Sequence, residues 1–549
     1  MASPPLLLAY LLFLSSLPSP TLSSNASTTV SLNTTTAAAA NSAVQALCHS
    51  TPYPSACLDA VKLSISININ PSVLSLALHS LQVAIGEATK VSSLLSSAGR
   101  GGALVESKRS SLRDCQDLHR NTIASLRRST GLVDSANARK LADARAYLTA
   151  ALTNRATCLE GLSGARGPAK ASLVDSWNAA YAHVSNSLSL VVRSGGGRKG
   201  RDLSSAGSDR QRGFPAWVGR RARRLLQDGD YGEYDPGSVV TVAADGTGNF
   251  TTVGEAVAWA PSNYDDRIII LVRAGIYEEN VETTSDKTNI VLLGDGSDVT
   301  VIRGARSVAD GWTTFRTATV AVSGQGFLAR DITFQNYAGP EKGQAVALRV
   351  NADLVALYRC VIDGYQDTLY VHSFRQFYRE CDVYGTVDFI FGNAAVVLQA
   401  CNLVAKKPLP GQSNVITAQS KDDPNEDTGI SIQNCKVLAT QELAAGNSGV
   451  KTYLGRPWNI YSTTVYIESY MDGLVDPAGW LEWPGGQGLD TLYYGEYMND
   501  GPGAGTDGRV TWPGFHLMEY DEATRFTVSE FIYGDEWLES TSFPYDAGI

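Results

Sequence analysis

The sequence predicts two different folds in one chain: an all-α antiparallel four-helix bundle over residues 43–194 and an all-β parallel β-helix over residues 238–549. Apolar residues recur at helical spacing in the first part, and short β-rich runs recur about every 21 residues in the second. Residues 1–226 carry 25 lysines and arginines against 11 aspartates and glutamates (+14), whereas residues 227–549 carry 20 against 44 (−24). The two parts should attract each other, and the acidic part is a poor candidate for binding nucleic acid.

The N-terminal segment has the features of a secreted protein. Residues 1–24 contain a short apolar core followed by proline and serine, which predicts a signal peptide, although no basic residue precedes that core. Nine apolar residues are too few to span a bilayer, so we expect no membrane association after processing. Asn25, Asn33 and Asn249 lie in glycosylation sequons, which is consistent with secretion. Residues 25–42 are rich in Ser, Thr, Ala and Asn and are predicted to be disordered.

Four long helices are predicted for the bundle, at residues 72–97, 107–128, 135–162 and 167–192. Short connections between them favour antiparallel packing. Eight cysteines, an even number in an apparently secreted chain, make disulfides plausible. Cys48 and Cys57 flank a proline-containing turn and are expected to pair. Cys115 and Cys158 fall on two of the helices and could join them.

The segment between the two parts is a basic linker, residues 195–226. It is rich in glycine and arginine and ends in paired arginines. One interpretation is a solvated linker. The interpretation we favour is a processing site with cleavage at Arg224, Leu225 or Leu226, because exposed basic pairs in linkers suit proteases of the secretory pathway.

Short β-rich runs follow from residue 239 onward. The predicted strands are 239–242, 268–272, 290–293, 299–302, 319–322, 332–334, 356–362, 377–383, 397–404 and 431–437. Aligning Ile332, Cys360, Cys381, Cys401 and Cys435 places all five at one position of successive coils. A β-sandwich would instead need hairpin turns at shorter spacing. Stacked cysteines satisfy the Cα separation of a disulfide, so either Cys360 or Cys401 could reach Cys381; the pair we predict is Cys381–Cys401.

Two aspartates 21 residues apart mark the candidate site. Asp367 lies in GYQDTLY and Asp388 lies in YGTVDFIFG. Coils of about this length would stack the two carboxylates roughly 4.8 Å apart. Two carboxylates that close cannot both ionise easily, so the site should hold one acid and one anion.

Other catalytic classes lack their motifs in this sequence. The second half has two histidines, His372 and His516, and the chain has no G-x-S-x-G, which disfavours a serine hydrolase. No HExxH or CxxC suggests zinc, and no glycine-rich motif suggests a nucleotide. Carboxylate and amide chemistry remains, with no cofactor or metal expected.

Several stretches together resemble those of one enzyme family. They are GNFTTVGEAV (248–257), RAGIYEENV (273–281), GQAVALR (343–349), GYQDTLY, YGTVDFIFG, LGRPW (454–458) and RVTWPGF (509–515). In these the chain resembles plant-type pectin methylesterases (pectinesterases). CHSTPYPSACLDA (48–60), the helical pattern and four cysteines resemble the inhibitor-like pro-region that many of them carry. The resemblance implies a right-handed parallel β-helix that hydrolyses methyl esters of pectin homogalacturonan in the cell wall.

The resemblance also implies roles for individual residues. Asp388 resembles the nucleophile and Asp367 the acid/base. Gln344 and Gln366 resemble the amides that stabilise an oxyanion, and Arg456 resembles the group that orients the nucleophile and lowers its pKa. The implied substrate contacts are Thr314, Gln344, Arg456, Trp458, Tyr370 and Phe391, with Trp480 as a further stacking surface.

Two competing functions are open. One is a pectin lyase or a polygalacturonase, since both also use parallel β-helices, although the paired glutamines argue against them. The other is an inhibitor or interaction protein attached to an inactive β-helix, although five complete site residues argue against inactivity. We expect a monomer whose partners are the polysaccharide, its own pro-region and a separate proteinaceous inhibitor. The basic pro-region should cover or restrain the acidic part until the linker is cut.

Overall fold

The computed structural model describes residues 34–64, 72–99, 103–194, 239–445 and 449–549. They form a helical bundle followed by a parallel β-helix, which confirms the predicted fold class. The predicted signal peptide, the sequons at Asn25 and Asn33, and the cleavage site at Arg224, Leu225 and Leu226 lie outside the described residues. Within the described residues, no helix is both long enough and apolar enough to cross a bilayer.

The bundle consists of four long helices preceded by two shorter ones. The helices are α1 Thr34–His49, α2 Pro54–Ser64, α3 Val73–Ala98, α4 Ser111–Asp134, α5 Ala138–Gly161 and α6 Ala169–Ser194. The prediction of disorder was wrong for residues 34–42, which belong to α1, where a run of four alanines favours helix. Helix α4 begins later than predicted because Ser110 has a left-handed backbone, φ 65°.

Apolar stripes of the four long helices form the bundle core. Its fully buried members include Leu81, Leu148, Trp177 and Leu188. Both disulfides predicted for this part are present, with Cα separations of 5.4 Å for Cys48–Cys57 and 4.7 Å for Cys115–Cys158. The second one ties α4 to α5, which line the face of the bundle that contacts the β-helix.

The β-helix has three parallel sheets, and each full coil contributes one strand to each sheet. The first sheet contains β1 Val239–Val242, β2 Ile268–Val272, β5 Ile290–Gly294, β8 Leu328–Arg330, β11 Val355–Tyr358, β14 Arg375–Arg379, β17 Ala395–Gln399, β20 Gly429–Gln433, β23 Thr463–Ile467, β25 Tyr493–Tyr497 and β26 Phe515–Leu517. The second contains β3 Gly275–Glu278, β6 Thr300–Gly304, β9 Thr333–Asn336, β12 Val361–Asp363, β15 Asp382–Gly385, β18 Asn402–Ala405, β21 Lys436–Ala439 and β24 Tyr470–Met471. The third contains β4 Val281–Thr283, β7 Val320–Val322, β10 Leu348–Asn351, β13 Leu369–Ser373, β16 Ile390–Gly392, β19 Asn414–Gln419 and β22 Thr452–Gly455.

Short helices accompany the coils. They are α7 Val253–Trp259, α8 Gln441–Ala445, α9 Tyr520–Thr524 and α10 Val528–Phe531, and 3-10 turns include Thr314–Arg316. Isoleucine, valine and leucine fill the interior between the three sheets, where most are fully buried. Strands buried on both faces of a covered parallel sheet are expected to be continuously apolar in this way.

Four predicted strands are each divided into two by a sharp corner. Asp331, Arg359, Glu380, Ala400 and Asn434 have φ between 51° and 58°, and each lies between a strand of the first sheet and one of the second. A left-handed residue turns the chain within one position, which apolar patterning does not reveal. The residue after each of these corners is Ile332, Cys360, Cys381, Cys401 or Cys435, and the strand register confirms that these five align.

The predicted Cys381–Cys401 disulfide was wrong. Cys360, Cys381, Cys401 and Cys435 are all buried free thiols. The backbone N–H of Cys381 donates to Sγ of Cys401 at 3.4 Å, and the Cys401 thiol donates to the carbonyl of Gln399 at 3.5 Å. Side chains stacked on parallel strands point in the same direction at the strand spacing, so their sulfurs do not converge as disulfide geometry requires.

Candidate active site

A cavity of about 260 Å³ lies between the third sheet and the bundle, and it brings together the residues that the sequence singled out. Its lining includes Thr314, Gln344, Gln366, Asp367, Tyr370, Asp388, Phe391, Arg456 and Trp458. These residues come from five separate stretches of the chain. They meet because successive coils stack the strands of the third sheet, and with them the residues within and next to those strands.

The two aspartates occupy equivalent positions on neighbouring coils. Leu369 pairs with Ile390 in the sheet, and each aspartate lies two residues before its strand. Asp367 has φ 62° and Asp388 has φ 51°, a left-handed conformation that aspartate tolerates better than most residues. The turn aims both side chains into the cavity, where they are 8% and 6% exposed.

Arg456 distinguishes one aspartate from the other. It follows β22, and its guanidinium donates from Nε to Asp388 Oδ1 at 2.8 Å and from Nη2 to Oδ2 at 2.5 Å. The ring of Trp483 lies against the guanidinium, with Cζ 4.5 Å from the ring centroid. A bidentate pair of this kind fixes the orientation of the Asp388 carboxylate and favours its ionised form.

The electrostatics of the two carboxyls differ accordingly. Burial raises the pKa of Asp367 well above its usual range, and the carboxylates of Asp388 and Glu160 raise it further. Burial also raises the pKa of Asp388, and the hydrogen bonds from Arg456 oppose this rise. Arg456 therefore lowers the pKa of Asp388 as predicted, but burial outweighs this effect and the pKa stays raised. The site still holds one carboxyl strongly favoured as an acid and one anchored as a carboxylate.

Two amides border the pair. Gln366 immediately precedes Asp367, and Gln344 lies in the loop before β10, one coil earlier. Both line the cavity, and neither side-chain amide is hydrogen bonded to another described residue. Their N–H groups are thus available to a ligand, which is the arrangement needed to stabilise a developing negative charge.

Aromatic rings form one wall of the cavity. Tyr370 and Phe391 stack at 4.2 Å between centroids, and Trp458 lies 6.0 Å from Phe391. The expectation for Trp480 was wrong: this side chain is 1% exposed in the β-helix interior and stacks on Tyr494 at 4.1 Å. Trp483 lines the cavity instead. Both tryptophans lie in one short segment, and their spacing alone does not reveal which of them turns outward.

Sequence reasoning missed the residues that the bundle contributes. The bundle half contributes Lys108, Asp114, Thr157, Glu160 and Gly161 to the lining of the cavity. They lie on α4 and α5 or on the connections around them, more than 150 residues before the site residues of the β-helix. No local motif sets them apart from ordinary helix surface.

His372 also lies at this contact. It is fully buried, and its Nε2 atom is 2.9 Å from the Thr157 hydroxyl. Burial lowers the pKa of His372 well below its usual range, and Arg349 acts in the same direction. The imidazole is therefore neutral in the intact chain and acts as a polar contact between the two parts.

Comparison with known proteins agrees with this geometry. A family model described as Pectinesterase matches residues 239–535, and one described as Plant invertase/pectin methylesterase inhibitor matches residues 42–190. Probable pectinesterase/pectinesterase inhibitor 12 of Arabidopsis thaliana is 59% identical over 516 residues, which are 92% of this chain and 93% of that protein. Pectinesterase 2 of Citrus sinensis is 43% identical over 507 residues, 92% of this chain and 95% of its own.

A solved structure covers the second part. Pectin methylesterase from carrot matches with a TM-score of 0.56 and 55% identity, over 56% of this chain and 98% of the carrot chain. The matched part of this chain thus corresponds to almost the whole of the carrot chain. The chain belongs to the pectinesterase family, whose members are carboxylic ester hydrolases, and it carries an inhibitor-family domain ahead of the catalytic one.

Proposed function

We propose that the β-helix hydrolyses methyl esters of homogalacturonan through an acyl-enzyme on Asp388, giving demethylated pectate and methanol. The observation that carries this proposal is the asymmetry of the stacked pair. Asp388 is held at both oxygens by Arg456, whereas Asp367 has no such partner among the described residues. A nucleophile and an acid are therefore available side by side.

In the first half-reaction, an Asp388 oxygen attacks the ester carbonyl carbon and forms a tetrahedral intermediate. The N–H groups of Gln344 and Gln366 hydrogen bond the oxyanion. The bond to the methoxy oxygen then breaks as Asp367 gives its proton to the departing methanol. The product of this half-reaction is an anhydride between the sugar carboxyl and Asp388.

In the second half-reaction, water attacks the anhydride. Asp367, now a carboxylate, takes a proton from the water, and the sugar acid is released from Asp388. The cycle consumes one water, returns Asp367 to its acid form and leaves the polysaccharide backbone intact. Arg456 holds the same two oxygens of Asp388 before and after the cycle.

The wall formed by Tyr370, Phe391 and Trp458 suits the apolar faces of sugar rings, and Thr314 supplies a hydroxyl nearby. The competing glycosidase and lyase functions are less well supported, because a glycosidase needs two carboxyls on either side of a glycosidic oxygen. Here an arginine occupies both oxygens of one carboxyl.

The bundle would act as an intramolecular inhibitor of the β-helix. Tyr370, Phe391 and Ala418 of the groove belong to the same apolar cluster as the bundle core. The Thr157 hydroxyl lies 3.4 Å from the Tyr370 hydroxyl, and Asn393 donates to Thr153 at 2.9 Å. A polymer cannot lie along a groove that is filled in this way. Cleavage at Arg224, Leu225 or Leu226 would then release the enzyme.

The test uses the full chain with a site-specific protease sequence inserted within residues 195–226. The protein is folded intact and then cut, and the bundle is removed by chromatography at high salt. The β-helix that remains is called the cut protein. We expect methanol release from methylated pectin by the cut protein, with no new reducing ends, and little release before cutting. Reducing ends without methanol would indicate a glycosidase or lyase, and equal activity before and after cutting would exclude the inhibitory role.

Secretion to the cell wall, glycosylation at the sequons and a monomeric state complete the proposal. Asn249 is exposed at the start of the β-helix, as a glycosylation site requires. Release of the bundle would also leave a face to which a separate inhibitor of the same family could bind. Mass and glycan analysis of the secreted protein, with size-exclusion chromatography, would check these points.

A further inference from the structure

At one place in the groove, the contact charges are opposite to the net charges of the two parts. The bundle half is basic overall, yet it presents Asp114 and Asp117 of α4 to the groove. Arg316 of the acidic β-helix contacts both aspartates. It donates from Nε to Asp114 Oδ1 at 2.7 Å and from Nη2 to Asp117 Oδ2 at 3.0 Å. General attraction between a basic and an acidic part does not explain this inversion. The part of the groove beside Arg316 therefore favours a carboxylate.

One edge of Arg316 has partners only in the bundle. Within its own domain, Arg316 binds Glu282 through Nη1, at 3.1 Å to each carboxylate oxygen. The Nε–Nη2 edge faces Asp114 and Asp117, and the side chain is 8% exposed. Arg375 provides a contrast, since its own domain already supplies the bidentate partner Asp353, at 2.9 and 2.6 Å. Removing the bundle would thus free a complete guanidinium edge at Arg316 but only one N–H group at Arg375.

The surroundings of Arg316 add further features of a carboxylate site. The hydroxyl of Thr313 donates to the second Asp114 oxygen at 2.5 Å. Arg349, which is 1% exposed, lies with its guanidinium 3.4 Å from the centroid of the Phe315 ring and makes one hydrogen bond, to Asn351 at 2.7 Å. Three donors therefore contact the Asp114 carboxylate, and the charge of Arg349 lowers the pKa of Asp114, against the larger rise that burial causes.

That place belongs to the groove of the reaction. Asp114 and Thr313 line the same cavity as Asp367 and Asp388. The turn that carries Arg316 precedes β7, and β7, β10 and β13 are successive strands of the third sheet. At the spacing of parallel strands, Arg316 is two coils, or about 10 Å along the axis, from the coil of Asp367. A chain laid along the groove would place there another sugar of the same chain, about two units from the reacting one.

We propose that the Nε–Nη2 edge of Arg316, together with the Thr313 hydroxyl, binds the carboxylate of a galacturonate unit that has already lost its methyl ester, and that Asp114 occupies this subsite in the uncut chain. This inference rests on the proposed function. A methyl ester offers the guanidinium no charge, so only the free acid gains the charge-assisted pair. The enzyme should then favour esters that have a demethylated unit nearby in the chain on the Arg316 side.

The experiment compares the cut protein with its Arg316→Gln variant on two substrates, fully methylated and partly demethylated oligogalacturonides of equal length. For the wild type we expect kcat/KM to be higher on the partly demethylated substrate. In Arg316→Gln that preference should fall about tenfold, with the loss mainly in KM, because the reacting groups are unchanged. Added salt should reduce the preference of the wild type and have little effect on that of the variant.

Arg359→Gln is the matched control. Arg359 also forms a bidentate pair, with Asp331 at 2.8 and 2.7 Å, but it lies at a corner between the first and second sheets. Its removal subtracts the same charge and should leave the substrate preference unchanged. Arg316→Lys keeps the positive charge but lacks the Nε–Nη2 edge, so it should retain part of the preference. It serves as a second variant if Arg316→Gln fails to fold.

The two proposals fail in different ways. A wild-type cut protein that releases no methanol from either substrate would overturn the proposed function. A wild type that releases methanol, with an Arg316→Gln variant of the same preference and the same melting temperature, would overturn the subsite alone. If Arg359→Gln lost the preference as well, the change in net charge would explain the loss in both variants, and the subsite would also be overturned.

Discussion

The coil that carries Asp367 and the coil that carries Asp388 are nearly the same in backbone and very different in chemistry. Both aspartates precede their strands by two residues, both have a left-handed φ, and both face one cavity. Only Asp388 has a guanidinium at both oxygens, and that guanidinium comes from a residue 68 positions further along the chain. The carboxyl of Asp367 is left beside another carboxylate in a buried site.

The comparison shows that the repeat and the chemistry have separate origins. A parallel β-helix supplies equivalent positions at the strand spacing, so two equal side chains would compete for one proton. One distant arginine removes the equivalence. The predictions below test whether that difference in partners, rather than in backbone, sets the two roles.

The largest effect is expected for Asp388→Asn in the cut protein. An amide cannot attack the ester, so kcat should fall by at least about 10⁴-fold while the circular dichroism spectrum is retained. Asp382→Asn on the neighbouring second-sheet strand is the matched control and should stay active. A residual rate within tenfold of the wild type would assign the nucleophile to another group.

Asp367→Asn should reduce kcat by about 10²–10⁴-fold, because methanol then leaves without a proton donor. The limb of the pH–rate profile on which activity falls with rising pH should disappear, since that limb reports deprotonation of Asp367. Stopped-flow assays should place the loss in the step that releases methanol. An unchanged profile would mean that Asp367 is not the acid.

Arg456→Lys should reduce kcat by about 10²-fold, because an ammonium cannot hold both Asp388 oxygens and the nucleophile loses its orientation. The two carboxyls should also become more alike. Their titrations, followed by NMR of labelled aspartates in the cut protein, should move closer together than in the wild type. A wider separation would contradict the assignment of Arg456 as the group that distinguishes them.

The smallest effect concerns stability. Because the pKa of Asp367 is raised in the folded chain, its contribution is fully present below the unfolded value of about 3.9 and is lost as the pH rises through the folded value. Asparagine is neutral throughout. In the full chain, Asp367→Asn should therefore raise the melting temperature by about 2–4 °C at pH 7 and by nothing below pH 4. Calorimetry that shows the same shift at both pH values would exclude a titration effect.

The sequence was most informative where residue types repeat in register. Ile332 and the four cysteines marked one position of successive coils because their side chains all fill the same interior layer. The repeat could not reveal the left-handed residue before each of them, since a corner needs only one position and accepts Asp, Arg, Glu, Ala or Asn. Alignment also could not decide the pairing of Cys381 and Cys401, because stacking brings the Cα atoms close without turning the sulfurs toward each other.

The site was predictable to the extent that its residues lie within motifs. Gln366 and Asp367 are adjacent in GYQDTLY, and Arg456 and Trp458 share LGRPW, so resemblance was enough to identify them. The contacts between the bundle and the groove were not predictable in this way. Asp114 meets Arg316 across 202 positions, and Thr157 meets His372 across 215. Opposite net charges suggested that the two parts would meet, but they could not show which surfaces would meet or that the local charges would be inverted.

The distribution of the cysteines has a consequence for how the molecule would respond to a thiol reductant. All eight are described, and the two disulfides join residues of the bundle, whereas the four cysteines of the β-helix are already thiols. The covalent links are worth about 2.5–4 kcal/mol each for loops of these lengths. Glutathione or dithiothreitol would therefore destabilise the bundle and leave the β-helix unaltered.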